Sequence, residues 1–200
     1  YGYDAKDRLV VITDTLGSAT RYTYDANDNR TSVTDARGNT ITFTYDALNR
    51  LASLRDPLGN TTSYQYDANG NRTRVTDAKG QVTTYAYDAL NRLTQVVNPS
   101  FTVTYTYDAA GNRLTMTDPT GTTQYAYDAL NRPTVITDAT GLVLRYAYDA
   151  AGNRTTLTYP DGRVVTYTYD ADNRIASVTD HAARTTQYVY DAAGQLTQIT

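Results

Sequence analysis

The stretch YAYDALNRLTQVVNP, residues 85–99, decides the fold, because it holds the two kinds of segment from which the whole chain is built. Its outer parts are rich in Tyr, Thr, Val and Leu, which is the composition of β-strands. Between them stands DALN, residues 88–91, in which an Asp that can cap a type I turn precedes by three positions a residue that tolerates the left-handed conformation. The stretch therefore predicts two antiparallel strands joined by a three-residue hairpin loop with a bulge.

The Tyr-Asp pair of this stretch recurs ten times, at intervals of 20 or 21 residues. An aromatic residue stands two positions before the Tyr of each pair, and Asn, Gly or Asp stands three positions after each Asp. A second turn of the same kind begins ten residues after the first, as in DPLG (56–59), DAKG (77–80), DPTG (118–121) and YPDG (159–162). Two second turns depart from this pattern, NPSF at Asn98 and DHAA at Asp180, and we expect another shape there.

Ten repeats of two strands predict an all-β chain of roughly twenty strands joined only by hairpins. Because an open twisted sheet rarely stays open beyond about ten strands, this hairpin ribbon must curl, coil or stack on a neighbour. Residues 1–200 are predicted to form one array with no separate domain. Since the chain opens on Tyr1 and not on Met, we expect it to be a fragment of a larger protein.

An Arg near the first nine Tyr-Asp turns alternates between two neighbouring positions, and the tenth repeat, with Gln195-Leu196, resembles the odd form without its Arg. Odd-numbered repeats place it four residues after the Asp and before an apolar residue, as in Arg50-Leu51, whereas even-numbered repeats write Asn-Arg and place it one residue later. Pairing arithmetic puts Tyr45 opposite Leu51 but Tyr66 opposite Arg50, and a one-residue shift moves a side chain to the other face of a strand. We therefore hypothesise that the face carrying these tyrosines flips at every repeat, while the Arg shift keeps all the arginines on one face.

The repeated Tyr, Asp and Arg are the candidate structural residues, and no catalytic, cofactor-binding or metal-binding residue is predicted. The structural set is Tyr24, Asp25, Arg30, Tyr45, Asp46, Arg50, Tyr66, Asp67, Arg72, Tyr87, Asp88, Arg92, Tyr107, Asp108, Arg113, Tyr127, Asp128, Arg132, Tyr148, Asp149, Arg154, Tyr169, Asp170 and Arg174.

Composition excludes several classes of function. The net charge of −3 with interspersed signs gives no nucleic-acid footprint, and no apolar run is long enough for a membrane span. There is no Cys for a disulfide or thiolate metal site, and no Glu, so strong helix formers are scarce. His181, the one histidine, has no neighbouring nucleophile motif and is interpreted as an exposed turn residue.

Two chemical alternatives compete with a structural interpretation of the repeats. The Asp ladder could supply calcium ligands or catalytic carboxylates, but both need several oxygens to converge, whereas each Asp here already has a turn to cap. The tyrosines could form a sugar-binding or base-stacking platform, but rings repeated on alternate strands fit an internal aromatic ladder better. Turn capping and ring packing are therefore the predicted roles.

The segments YDALNRL (45–51), YDAAGNRLTMTDPTG (107–121) and YDAAGNRTTLTYPDG (148–162) resemble the RHS repeat, also called the YD repeat. The resemblance covers essentially the whole chain. It implies a spiralling β-ribbon that forms the wall of a hollow shell or tube, as in bacterial polymorphic toxins, the cocoon proteins of toxin complexes, and teneurin-like receptors. It also implies a shell that encloses a toxin or other cargo.

The function expected from this resemblance is a structural shell segment of a secreted or exported protein, at the cell surface or outside it, with no enzyme activity and no cofactor. Its expected partners are further YD repeats of the same chain, copies of itself, or an enclosed toxin cargo. The alternative is an extracellular fibre, tube or adhesion protein built from the same repeats, for which glycan binding is possible. A carbohydrate-active enzyme is the third and weakest interpretation.

Overall fold

The structure, a computed structural model, describes all 200 residues, and its regular structure is entirely β-strand. The predicted all-β class, with two strands to a repeat, is confirmed. Internal contacts divide the chain into two units, residues 1–102 and 103–200. The chain forms no helix that is long and apolar enough to cross a lipid bilayer.

The strands follow one another along the chain with only turns between them. In the first unit they are β1 (Gly2–Tyr3), β2 (Leu9–Thr13), β3 (Ala19–Tyr24), β4 (Arg30–Thr34), β5 (Thr40–Tyr45), β6 (Leu51–Arg55), β7 (Thr61–Tyr66), β8 (Arg72–Thr76), β9 (Val82–Tyr87) and β10 (Leu93–Asn98). The division between the units falls inside β11 (Phe101–Tyr107), which β12 (Arg113–Asp118), β13 (Gly121–Tyr127), β14 (Pro133–Thr137), β15 (Val143–Tyr148), β16 (Arg154–Thr158), β17 (Val164–Tyr169), β18 (Ile175–Thr179), β19 (Thr185–Tyr190) and β20 (Leu196–Ile199) follow.

Each strand pairs antiparallel with the next, from β1 to β10 in the first unit and from β11 to β20 in the second. Both units are therefore meanders of hairpins, as the turn chemistry predicts.

The Tyr-Asp turns have the predicted three-residue loop. At Asp46, the backbone N–H of Asp46 donates to the carbonyl of Arg50 at 2.9 Å, and the N–H of Asn49 donates to the carbonyl of Asp46 at 3.0 Å. Asn49 has a φ of 59°, in the left-handed region where Asn, Asp and Gly are the least strained residues. The equivalent positive-φ residues of the other nine turns are Asp7, Asp28, Gly70, Asn91, Gly111, Asn131, Gly152, Asn173 and Gly194.

The second turns agree with the sequence at most positions but not at all. The different shape expected at Asp180 is wrong, because Ala183 takes the left-handed position with a φ of 61° and donates to Asp180 as Gly does elsewhere. At Asn98 a different shape is confirmed, since the next strand begins at Phe101 after a two-residue turn. The turn at Asp118 was predicted to be ordinary, but it too is a two-residue turn in which Asp118 pairs with Gly121. These two shorter turns account for the 20-residue spacing of neighbouring repeats.

Every Tyr-Asp hairpin contains a further β-bulge that the sequence did not predict. Tyr45 pairs with Leu51 as expected, but Thr44 pairs with Ser53, so that Ala52 is an extra residue in β6. The same shift stands beside the Tyr of all ten Tyr-Asp hairpins. The hairpins at the second turns have no shift.

The bulge overturns the hypothesis that the tyrosine face flips. Residues opposite each other in a ladder lie on the same face, and Phe43 pairs with Leu54, which pairs with Thr62 on the strand of Tyr64 and Tyr66. Side chains alternate between the two faces of a strand, so one extra residue per repeat cancels the one-residue change that would move the tyrosines to the other face. The aromatic pairs of successive repeats therefore share one face, which we call the tyrosine face. The opposite face is rich in Thr and Ser, and we call it the threonine face.

The bulge also sets a constant stagger between repeats. Thr44 pairs with Ser53 and Ser53 with Ser63, whereas Gln65, the equivalent of Thr44 one repeat later, lies two residues further along. In the second unit the row through Thr106, Thr115 and Gln124 shows the same two-residue step. Two residues amount to about 6.8 Å along a strand, against about 9.6 Å across two strand spacings, so the repeats advance at about 35° to the perpendicular of the strands.

Neither unit has a buried core. No side chain of the chain reaches the burial of a globular interior, because the sheet is a single layer. The tyrosine face is the better covered of the two, as in β5, where Phe43 and Tyr45 are half-buried while Thr42 and Thr44 are exposed. The rings thus share one face but remain half-buried, so they do not form the internal ladder that the sequence predicts.

Candidate functional site

Within each unit the Tyr-Asp turns carry a network of polar contacts, beginning with the capping carboxylate. In the turn at Asp67, Oδ1 accepts the backbone N–H groups of Asn69 and Asn71, both at 2.9 Å, and Oδ2 accepts the side-chain amide of Asn71 at 3.0 Å. The Asn71 side chain is the main cause that lowers the pKa of the Asp67 carboxyl, which stays ionised as the best acceptor for these donors. Each such Asp therefore spends its lone pairs inside its own turn.

In the first nine Tyr-Asp turns, the residue four positions after the Asp closes the turn with a side-chain N–H group. In odd repeats this is Arg, as where Nε of Arg50 donates to Oδ2 of Asp46 at 2.8 Å. In even repeats it is Asn, as at Asn71. The backbone N–H of Arg50 and then its side chain lower the pKa of the Asp46 carboxyl in the same sense. Nε of Arg and Nδ2 of Asn are thus interchangeable toward the carboxylate.

The two residues differ in what they contact on the next repeat. Nη1 of Arg50 donates to the carbonyl oxygen of Asp67 at 2.8 Å, and its guanidinium stacks 4.6 Å from the ring centre of Tyr66. Nδ2 of Asn71 instead donates to Oδ1 of Asn91 at 2.7 Å. The same amide-to-amide bond joins Asn29 to Asn49, Asn112 to Asn131 and Asn153 to Asn173.

The left-handed residue of each turn matches the side chain that reaches it. The Asn that stands four positions after the Asp in four even repeats donates to an Asn in the next turn. In odd repeats Arg8 bonds to Asp28, and Arg132 and Arg174 lie near Gly152 and Gly194. Nη1 of Arg8 donates to Oδ1 of Asp28 at 2.6 Å, and Nζ of Lys6 lies 3.2 Å from the same oxygen. An added Cβ would lie 3.3 Å from Nη1 of Arg174 at Gly194 and 4.0 Å from Nη1 of Arg132 at Gly152, but at Gly70 it would meet nothing within 4 Å. The residue four positions after the Asp and the left-handed residue of the next turn therefore alternate together between odd and even repeats.

In eight of the ten pairs the Tyr hydroxyl donates to a backbone carbonyl of the preceding repeat. The hydroxyl of Tyr66 donates to the carbonyl of Leu51 at 3.0 Å, and that of Tyr148 donates to the carbonyl of Pro133 at 2.9 Å. Both acceptors are the first residue of a bulge, where ladder pairing is interrupted. Because the acceptor is a main-chain oxygen, the residue there can be Leu, Pro or Arg. Burial raises the pKa of the Tyr148 phenol, which favours its role as a donor.

The arginines of even repeats lie between rings of the tyrosine face. Arg72 stands 5.8 Å from the ring centre of Tyr64 and 5.4 Å from that of Tyr85, and Arg154 stands 4.6 Å from that of Tyr167. Stacks of both settings lie against rings of this one face, which agrees with the hypothesis on the arginines. They are Arg8, Arg30, Arg50, Arg72, Arg113, Arg132, Arg154 and Arg174.

All the structural residues predicted from the sequence lie in this network, and each Tyr-Asp turn contributes one set of them. The structure brings Tyr, Asp and Arg of neighbouring repeats together, and no three His, Cys, Asp or Glu side chains group as metal ligands. The sequence did not predict the bond from the Tyr hydroxyl to the preceding repeat, nor the bonds of the Asn that stands four positions after the turn Asp in even repeats. The alternation of Asn and Gly three residues after the Asp, in step with the alternation of Arg, is the signal that could have revealed both.

These features define a class of protein, the single-layer ribbon of Tyr-Asp hairpins locked turn to turn. A family model described as Teneurin YD-shell matches residues 71–200, and one described as RHS Repeat matches residues 3–40, 24–61 and 45–81. Because the first match alone covers more than half of the chain, the chain belongs to the YD-shell family of RHS-repeat proteins.

Solved structures with the same fold come from toxin complexes. The chain superposes on the TcdB2-TccC3-TEV crystal structure with a TM-score of 0.71 and 17% identity, over 100% of this chain and 14% of that one. For TcdB2-TccC3-Cdc42 the values are 0.66 and 19%, over 92% and 12%, and for the Photorhabdus luminescens Tc holotoxin pore they are 0.60 and 17%, over 93% and 13%. The chain therefore spans about an eighth of these chains, and at such identities the likeness shows the fold. The comparison with curated proteins gives no match.

Proposed function

We propose that this chain is a wall segment of a larger YD shell that encloses and protects a toxin or other cargo in a secreted or exported protein. Its partners would be further YD repeats of the same protein and the enclosed cargo. The proposal rests on membership of the YD-shell family and on one observation, the constant two-residue stagger of successive repeats.

The stagger supports a curved wall. Sheets that close on themselves have strands tilted by about 35–45° to the axis, and the step of the repeats corresponds to about 35°. Because the bulge recurs at every Tyr-Asp hairpin, each added repeat advances by the same amount, which favours regular coiling over irregular stacking. A wall of this kind is sealed by backbone hydrogen bonds and needs no covering layer to hold its strands together.

The engaged carboxylates support a role without catalysis. A general acid or base needs a carboxyl with a pKa raised toward neutrality, yet the pKa of the Asp46 and Asp67 carboxyls is lowered by the donors of their own turns. We propose that the Tyr, Asp and Arg of the repeat motif serve the wall alone.

Electron microscopy of the full-length protein that contains this segment tests the shell. Discrete hollow particles are expected, together with protection of any segment beyond the array from added protease until the wall is unfolded by denaturant. Extended filaments, or a segment cleaved as fast in the intact particle as in denaturant, would contradict the proposal.

An open tube or fibre with an adhesive role is the second candidate. The same constant stagger favours it, because a ribbon that advances identically at each repeat has no internal signal to close. Filaments of indefinite length in the micrographs would support this candidate in place of the shell.

A further inference from the structure

The arginines of the chain fall into two populations. Those of the repeat motif contact turn carboxylates or aromatic rings, as described above. Four others lie in strands and form no ion pair and no ring stack, namely Arg21, Arg55, Arg74 and Arg145. All four are exposed, and Arg55 has one long hydrogen bond, from Nε to the carbonyl of Gly59 at 3.4 Å.

The unpaired arginines all belong to the threonine face. Arg21 pairs across the ladder with Val11 and Thr34, Arg55 with Thr42 and Thr61, and Arg145 with Val135 and Thr158. Arg74 pairs with Gln65 and Thr84. No strand places an Asp on this face, since the one Asp within a strand, Asp118, follows Thr117 of that face and so lies on the other side. The strands of the threonine face thus present hydroxyl groups and arginine charges without a strand carboxylate, with Val11 and Val135 as apolar neighbours of Arg21 and Arg145.

Three of the four arginines follow one line in the first unit. Arg55 lies three strands from Arg21 and two residues further along, and Arg74 lies two strands from Arg55 and four residues further along. Strand geometry makes both separations about 16–17 Å between Cα atoms. Both steps run toward the Tyr-Asp turns, which is the direction in which the repeats advance. A linear ligand lying along the ribbon would therefore meet the three in turn.

Two of these arginines also stand in surface grooves between successive second turns. Arg55 lines a groove with Thr40, Thr42 and Asn39, and Arg21 lines one with Thr34 and Ser18. The carboxylates at these grooves belong to Asp35 and Asp56, and each accepts three N–H groups within its own turn. Both carboxylates keep their negative charge but have their oxygens engaged within their turns, whereas the guanidinium groups keep N–H donors that a ligand can use.

From this arrangement we propose that the threonine face of residues 1–102 binds a linear anionic polysaccharide, one that carries carboxylate or sulfate groups. The arginines would take the anionic groups, for which the guanidinium fork is suited, and the Thr and Ser hydroxyls would exchange hydrogen bonds with sugar hydroxyls. A nucleic acid fits less well, because the aromatic rings that could stack bases lie on the opposite face, and because residues 1–102 carry 11 acidic and 11 basic side chains. The proposal holds for a closed shell and for an open tube alike, provided this face is accessible.

Binding of the 200-residue chain to heparin and to polygalacturonate at low salt tests the proposal, with neutral dextran as the blank. The triple variant Arg21→Thr/Arg55→Thr/Arg74→Thr removes the line and keeps strand-forming residues in place. Exposed ion pairs are worth about a twofold change in affinity each, so the loss of three predicts a roughly tenfold weaker binding. The ratio of the affinities for heparin and polygalacturonate gives the preference for sulfate or carboxylate.

The matched control Arg37→Thr/Lys79→Thr/Arg145→Thr removes the same charge elsewhere and is expected to keep binding within about twofold of wild type. Circular dichroism checks that both variants fold, and if the triple variant does not, the three single variants replace it, each with an expected loss of about twofold. An absence of binding by the wild-type chain, equal losses in the triple variant and its control, or equally tight binding of single-stranded DNA would each overturn the proposal. None of these outcomes bears on whether the wall closes, so the shell and this surface are tested separately.

Discussion

Replacing Tyr148 by Phe removes one hydroxyl group and, with it, the bond to the carbonyl of Pro133 at 2.9 Å. The ring remains, so its stack with the guanidinium of Arg132 at 4.6 Å is retained. The variant therefore isolates the contact by which a repeat holds the bulge of the repeat before it. Tyr146→Phe is the matched control, because Tyr146 lies in the same strand and has no hydrogen bond from its hydroxyl.

The expected loss of stability follows from the environment of the contact. A neutral hydrogen bond contributes about 0.5–1.5 kcal/mol net, and the cost rises to about 3 kcal/mol when a buried acceptor is left without a partner. Tyr148 is half-buried, so water can reach part of the site once the hydroxyl is gone. We therefore expect about 1 kcal/mol for Tyr148→Phe and a change close to zero for Tyr146→Phe.

Hydrogen exchange is the suitable assay, because a repeat array unfolds by units and a single global transition can hide a local loss. Amides of β14, β15 and β16 should exchange about five times faster in Tyr148→Phe, and those of strands several repeats away should be unchanged. Equal exchange in the two variants would refute the conclusion that the Tyr hydroxyl secures the bulge.

Three further predictions concern the turns and their phase. The pKa of turn carboxyls such as Asp46 and Asp67 is lowered in the folded chain, so on acidification the unfolded chain binds protons first. The stabilisation is present above the unfolded pKa of about 3.9 and is lost as the pH falls through the lowered values, so the melting temperature should be flat from about pH 7 to 5 and fall below about pH 4. A higher melting temperature at pH 3 would contradict this. In a double-mutant cycle, Asn71→Arg and Asn91→Gly should each lower the free energy of unfolding. The double variant should lose about 0.5–1.5 kcal/mol less than the sum of the two single losses, because an Arg followed by a Gly in the next turn restores the pairing of an odd repeat with an even one. Strictly additive losses in urea unfolding would refute the matching of repeats. Deleting Ala52 should move the aromatic pairs after the third repeat to the opposite face of the sheet and yield aggregates in size-exclusion chromatography, whereas Ala52→Ser stays monodisperse. A soluble deletion variant would contradict the conclusion that the bulge keeps the tyrosines on one face.

The local chemistry of the hairpins was readable from the sequence because each turn satisfies itself. Asp46 and Asn49 are the first and last of the four residues of one turn, and their bonds need no distant partner, so the pattern D-x-x-N predicts the loop. Where the pattern was broken the prediction was less secure. Ala183 adopts the left-handed conformation that Gly takes elsewhere, and the turn at Asp118 is one residue shorter than its composition indicates, because the pairing of the flanking strands decides both.

The sequence by itself thus determined the all-β class, the two strands of each repeat and the ten Tyr-Asp loops, since these depend on neighbours along the chain. The bulge at Ala52 and its equivalents was decided only by the tertiary structure. Its extra residue lets the tyrosines of successive repeats share one face, a condition that involves three strands at once and leaves no trace in any single turn. The alternating Arg is the visible result of that condition, because the residue four positions after each Asp must bind its own turn and also fit the next one.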